Sequence, residues 1–261
     1  MPVFETKLDV KSDAYAKNRE DQLEKIEHLR MLEARAESAS EKRRPRFEER
    51  GQLTPRDRLA QLLDPGMPFL PLYNMASYCV DDPNRETSIP GGSTLAGIGY
   101  VSGTRCMIVV DDSGINAGAA TEMGFRKSLE AMKIALQNKL PFIHLVESAG
   151  ANLMQYKVEL WAHGGGVFCM LGRLSAAGVP TLTVLHGPST AGGAYMPGMS
   201  DYNVGVKHNG MAALGGAALV QAATGEIADE RQLGGTEMHA STTGLIEYLA
   251  DDDADGIRQM R

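Results

Sequence analysis

The chain has 261 residues, 43% hydrophobic and 23% charged, with 29 glycines and a net charge of −7. That length buries a sizeable core as one large domain or two small ones, and the composition fits a soluble α/β protein whose turns approach a ligand or other backbone closely. The negative charge argues against broad nucleic-acid binding, the three scattered cysteines (Cys79, Cys106, Cys169) against a disulfide framework or zinc ribbon, and no apolar run has signal-peptide or membrane-spanning length, so a cytoplasmic protein without a membrane partner is expected.

Residues 17–50 are dense in both charge signs, and Leu23, Ile26, Leu29 and Leu32 recur at three-residue steps. The spacing predicts a long helix with one narrow apolar seam, laid against its own domain or against another subunit. We expect residues 1–50 to form a charged helical extension and 51–261 the main domain. In "RGQLTPRDRLAQLLDPG", Thr54 is an N-cap, Pro55 the first helical residue and Asp64-Pro65-Gly66 a stop.

From Ser93 the pattern changes to strands, with "TLAGIGYVSG" and "TRCMIVVDD" meeting in a hairpin at Gly103-Thr104. The glycines there lack dinucleotide-fingerprint spacing and no helix follows, which excludes a Rossmann reading. A theme of strand, Gly-rich loop and helix then repeats three times. "CMIVVDDSGINAGAATEMG" leads to a helix from Met123, "LPFIHLVESAGANL" to one over 156–178, and "VPTLTVLHGPSTAGGAYMPG" to a short one. Such units predict buried strands in a parallel sheet, with all three loops at the carboxyl edge where ligands bind.

"EAMKI", residues 130–134, is close to the Ala-Met-Lys-Met stretch that carries biotin on biotin-carrying domains. A biotinylated lysine needs an exposed hairpin, whereas Phe125, Leu129, Met132, Ala135 and Leu136 fall at helical steps up to Pro141. Lys133 therefore reads as a solvated lysine on the polar flank of a helix.

In "HGPSTAGGAYMPGMSDY", Ala191, Gly192, Gly193 and Ala194 leave backbone N–H groups open to a ligand carbonyl at the start of a helix, an oxyanion hole in outline. The same glycines could simply permit close helix–strand packing. Ser189, with His186 and Asp201 nearby in sequence, raises a serine hydrolase, but the G-x-S-x-G elbow is missing. His144 and His163 are isolated, and no cluster has metal-ligand spacing.

Taken together, these stretches resemble the carboxyltransferase β subunits of biotin-dependent acyl-CoA carboxylases, the propionyl-, methylcrotonyl- and geranyl-CoA carboxylase group. The resemblance runs from about residue 40 to the end, through "RGQLTPRDRLAQLLDPG", "IPGGSTLAGIGYVSG", "VESAGANL", "STAGGAYMPGMSDY", "AATGEIADERQLGG" and "EMHASTTGLIEYLADDD". It implies a crotonase-like α/β fold of repeated β-β-α units and the first half of a two-half subunit. This half would bind acyl-CoA, while the second half, from a neighbouring subunit, would hold carboxybiotin carried by the biotin carboxylase and biotin-carrier (α) subunit. Homo-oligomers are implied, and no metal. Breakdown of carboxybiotin would leave a biotin anion that takes the acyl proton, which accounts for the lack of a side-chain base. Gly192, Gly193 and Ala194 fall on the family's oxyanion motif, and Ala117, Gly118, Gly150, Ala151 and Ala191 would shape the thioester and pantetheine pocket.

Three stretches depart from the family pattern. Ser148-Ala149-Gly150-Ala151 stands where many relatives have Ser-Gly-Gly-Ala, Gly164 and Gly166 where methylcrotonyl-type relatives carry Phe and Arg, and Ala217-Ala218 where Pro-Pro is usual. Loss of a Phe at Gly164 would open room for a longer acyl chain if the position lines the pocket. Two other readings stand beside this one: a free-standing crotonase-type hydratase, isomerase or decarboxylase using Glu147, and a non-catalytic assembly module. The end, "DDDADGIRQMR", reads as a starting helix at a domain boundary or truncation.

Overall fold

The computed structural model describes residues 5–150 and 158–261, apart from the side chains of Leu160 and His163. Its elements begin with three helices, α1 (Asp13–Glu41), α2 (Arg44–Glu49) and α3 (Pro55–Leu62), and strands β1 (Leu70–Pro71), β2 (Thr94–Val101) and β3 (Thr104–Asp111). Next come α4 (Glu122–Asn138), β4 (Phe142–Ser148), α5 (Val158–Ala176), β5 (Thr181–Thr190), α6 (Tyr195–Gly198), β6 (Tyr202–Val206) and β7 (Met211–Ala213). The chain closes with α7 (Ala217–Thr224), α8 (Glu230–Gly234), α9 (Thr236–Met238), β8 (Tyr248–Ala250) and α10 (Asp253–Met260).

One sheet carries all the strands, in the order β1-β2-β3-β4-β5-β6-β8, with β7 also paired to β5. The β1, β2 and β3 edge is antiparallel and the rest parallel. β4 is buried along its whole length, as expected of a central parallel strand covered on both faces. One core lies between the sheet and α4 and α5, around Met132, Phe142, Leu171 and Leu174. A second lies on the other face, around Leu62, Ile108, Leu145 and Ile257.

Several local readings hold and some shift. Thr54 caps α3, its Oγ1 accepting from the Asp57 N–H. The hairpin turn is Ser102-Gly103, one residue earlier than the sequence indicated, because Val101 pairs with Thr104 and both turn residues have positive φ, as a two-residue turn between twisted strands requires. α4 begins at Glu122 on a Thr121 cap, and Lys133 lies inside it with Nζ 2.6 Å from Glu130, not on a hairpin. The predicted 17–50 helix is two helices, and its seam is mostly uncovered. Leu23, Ile26 and Leu29 are exposed, and burial begins only at Leu32 and Ala36. From there Ser40 Oγ donates to Asp112 and Arg35 to the Arg85 carbonyl, fastening the later part of α1 to the body. Ala217-Ala218 opens α7, so the alanines occupy first-turn positions where proline would also be tolerated.

Candidate active site

The three Gly-rich loops meet at the carboxyl edge of the parallel strands. Ser148, the last residue of β4, ties two of them, its Oγ donating to the Gly118 carbonyl at 3.0 Å and accepting from the Gly150 N–H at 3.1 Å. The Ala120 N–H donates to the Gly150 carbonyl at 2.8 Å, and Ser148 pairs in register with Ser189 of β5, just before the third loop. Left-handed backbone concentrates here, at Asn116, Ala117, Gly118, Gly150 and Ala191. Such conformations cost free energy in non-glycine residues and cluster at functional sites. At Gly118, with φ +70°, a Cβ would sit 2.3 Å from the Glu147 carbonyl oxygen, so only glycine lets the first loop lie against β4.

A cavity of about 250 Å³ opens at this junction and runs between the sheet and α4 and α5. Gly118, Gly150, Ala191, Gly192 and Gly193 line it, and Gly164 and Gly165 of α5 form part of its wall. Its apolar surface comes from Phe125, Trp161, Val167, Phe168 and Met196. The structure thus gathers six of the residues singled out in the sequence. A Cβ on Gly164 would meet nothing within 4 Å, so this position leaves open cavity where a side chain could stand. Gly166 instead packs towards Leu129 of α4. Ala194 packs against the core and Ala117 belongs to the neighbouring cavity, so neither is part of this wall. Ala151 lies outside the described residues.

Residues 191–194 form a single 3-10 turn leading into the four-residue α6. So short a helix adds little dipole; the donors are the turn's own leading N–H groups, which have no partner inside a helix. No hydrogen bond from the Gly192 or Gly193 N–H to a group outside the turn is present among the described residues. Gly193 is buried, and a Cβ there would come within 2.8 Å of Ser189 Oγ.

The neighbouring cavity, about 180 Å³, shares Ala149 with the first and is lined by Arg43, Arg46 and Arg50 from α2 and its flanks. These arginines follow three- and four-residue steps around the buried Phe47, a helix-face signal the sequence reading passed over as general charge density. A second omission concerns His144. It is not isolated, because its Nε2 lies 3.2 Å from Asp111 Oδ1 and both residues line the apolar cavity. Parallel register brings them together: Val110 pairs with Leu145.

Four side chains weighed for catalysis are committed elsewhere. Glu147 Oε2 takes a hydrogen bond from Arg58 Nη1 at 2.6 Å, and Arg58 Nε reaches Asp253 Oδ2 at 2.8 Å; Arg58 is fully buried. Asp253 Oδ1 in turn holds His186 Nδ1 at 2.9 Å. Burial by itself would raise the Asp253 carboxyl, but His186 and Arg58 outweigh it and hold it at about 2, while burial and the Arg58 charge push His186 down. Asp201 binds the Thr181 N–H and hydroxyl, and Ser189 Oγ is sealed beneath Gly193. Ser189, His186 and Asp201 therefore make no triad, and Glu147 is a paired structural carboxylate beside the arginine-lined cavity.

The family described as the carboxyl transferase domain matches residues 46–261. A probable biotin-dependent acyl-coenzyme A carboxylase beta2 subunit of Mycobacterium tuberculosis is 47% identical over 213 residues, covering 82% of this chain and 39% of that protein. The geranyl-CoA carboxylase beta subunit of P. aeruginosa superposes with a TM-score of 0.89 at 44% identity, over 99% of this chain and 47% of that one. Transcarboxylase 12S, solved with methylmalonyl-coenzyme A bound, gives a TM-score of 0.78 at 27% identity over 93% of this chain and 46% of that one. The chain spans about half the length of such proteins or less, a coverage consistent with a first half, and its fold is the crotonase-like fold of these carboxyltransferases.

Proposed function

Because the chain belongs to the carboxyl transferase domain family, we propose that it is the acyl-CoA-binding half of a cytoplasmic biotin-dependent acyl-CoA carboxyltransferase, with residues 51–261 as the binding domain and 1–50 as its helical extension. One observation carries this reading: an apolar cavity ends at the backbone N–H groups of Gly192 and Gly193, which have no partner outside their turn among the described residues, and adjoins an arginine-lined cavity. An acyl-CoA has that same sequence of parts: an apolar chain, a thioester, and a pantetheine arm leading to phosphates.

The acyl chain lies between the sheet and α4 and α5, with the thioester oxygen at the Gly192 and Gly193 N–H groups. The 191–194 turn is fixed before the substrate arrives, so its donors stabilise enolate charge without reorganising. Loss of one such donor costs enzymes about 3 kcal/mol of barrier. Gly118 and Gly150, pinned by Ser148, hold the loops apart for the pantetheine arm. Arg43, Arg46 and Arg50 suit its phosphates, since guanidinium groups bind phosphate with paired, charge-assisted hydrogen bonds. Carboxybiotin, delivered by the biotin-carrier subunit and held by the second half of a neighbouring β subunit in a homo-oligomer, would supply the carboxyl group and the base. The cavity of this chain needs no carboxylate base, in keeping with the pairing of Glu147 to Arg58.

Calorimetric titration of the chain with acetyl-, propionyl-, methylcrotonyl- and octanoyl-CoA tests this reading, with Gly193→Val as the control. The expected outcome is saturable binding to the wild type and a loss of at least about tenfold in the variant, or about 1.4 kcal/mol. Biotin-independent turnover of any of them that Glu147→Gln abolishes would instead establish the hydratase-type alternative.

A further inference from the structure

One face of α5 borders the apolar cavity. Trp161, Gly164, Gly165 and Phe168 line it, and their helical spacing puts all four on that face, in the order large, small, small, large. Phe168 marks the thioester end. A Cβ on Gly192 would lie 3.7 Å from its Cζ, and its ring meets that of Tyr195 at a centroid distance of 4.7 Å. Trp161 lies two helical turns away, about 10 Å at roughly 1.5 Å per residue.

Packing within the chain does not explain the glycines between the two rings. Glycine is less favourable than alanine inside a helix, yet a Cβ on Gly164 or Gly165 would meet nothing within 4 Å among the described residues. They leave a notch in the cavity wall, and a chain that starts at the 191–194 turn and crosses this notch arrives at the indole. Trp161 is 51% exposed, so a large apolar ring stands partly uncovered at the far end of the cavity. A hydrocarbon chain laid against it removes apolar surface of both partners from water.

Resting on the acyl-CoA reading above, we propose that Trp161 is a specificity residue for the distal part of the acyl chain. A chain long enough to cross the Gly164-Gly165 notch lies against the indole, and a shorter one ends before it. Selection for longer acyl-CoAs then depends on a contact at Trp161 as well as on the room left at Gly164.

Trp161 is the single tryptophan of the chain, so its fluorescence reports this contact alone. The test combines tryptophan emission with calorimetric titration, using butanoyl-, hexanoyl-, octanoyl- and decanoyl-CoA on the wild type, Trp161→Ala and Trp161→Phe. Saturation with decanoyl-CoA should move the emission to shorter wavelength, and saturation with butanoyl-CoA should leave it in place. Trp161→Ala should bind decanoyl-CoA about tenfold more weakly and butanoyl-CoA as the wild type does, with Trp161→Phe between the two for the longer chain. Unmoved emission in a wild type saturated with decanoyl-CoA would overturn the proposal whether or not the variants fold. So would an equal shift with butanoyl-CoA, or an equal loss of affinity for both chains in Trp161→Ala. Absence of calorimetric binding to all four thioesters would overturn the acyl-CoA reading itself and this inference with it.

Discussion

Two regions of opposite character share one strand. On one face of β4, Ile143 and Leu145 lead to Glu147 and a sealed ionic cluster with Arg58, Asp253 and His186. On the other, Phe142, Val146 and Ser148 lead to a cavity whose mouth is made largely of backbone and whose wall is chiefly apolar, with His144 and Asp111 among its polar members. The alternation of a strand sends neighbouring residues to these two destinations. Glu147 and Ser148 differ by one position and serve different ends. The charge that would catch the eye of anyone seeking a catalytic acid is spent on holding α3, β4, β5 and α10 together, and the cavity mouth is left to backbone amides.

The sharpest way to break this contrast is Arg58→Met. It strands Glu147 and Asp253 without their cation, and removing one member of a buried ion pair costs about 3–5 kcal/mol. Urea unfolding should show a loss of that size; a loss below about 1 kcal/mol would mean that the cluster is not the structural element described.

Of the two regions, the ionic one was the less legible in sequence. Arg58 sits in "PRDRLAQ", which reads as the charged face of a short helix, and its partners come from residues 89 and 195 positions away. No local pattern encodes a contact of that range. The loops were legible because clustered glycines and alanines after apolar runs are a local signal of backbone that must pass close to something. The His144 and Asp111 pair depends on strand register and could not be read from either segment alone. The α1 seam shows the opposite error: its period is correct, yet Leu23, Ile26 and Leu29 face solvent, since periodicity reports a face and not what covers it.

The next effect concerns acid. The Asp253 carboxyl is held at about 2, below its ordinary 3.8. A carboxyl depressed by folding contributes stability that is complete above its unfolded value and disappears as pH falls through the folded one. About 2 kcal/mol should therefore be lost between roughly pH 4 and pH 2, and Asp253→Asn, already destabilised at neutral pH, should lack that part of the acid transition. Unfolding free energies of the two chains across that range provide the check; parallel pH curves would contradict the assignment.

The smallest effect belongs to the cavity side. Gly164→Phe adds a ring where a Cβ meets nothing, so its melting temperature should stay close to that of the wild type. Affinity for octanoyl-CoA should fall about tenfold, or about 1.4 kcal/mol, with little change for propionyl-CoA. A uniform loss for both thioesters would mean that Gly164 does not border the distal part of the chain.

The claim at the centre of this account is that backbone amides of the 191–194 turn take the thioester oxygen. Isotope-edited infrared spectroscopy of acyl-CoA labelled with carbon-13 at the thioester carbonyl reads that contact directly. Binding should move the carbonyl stretch to lower wavenumber, and Gly193→Val should return it to its position in free solution. A bound thioester whose carbonyl stretch stays at the free-solution value would contradict the account.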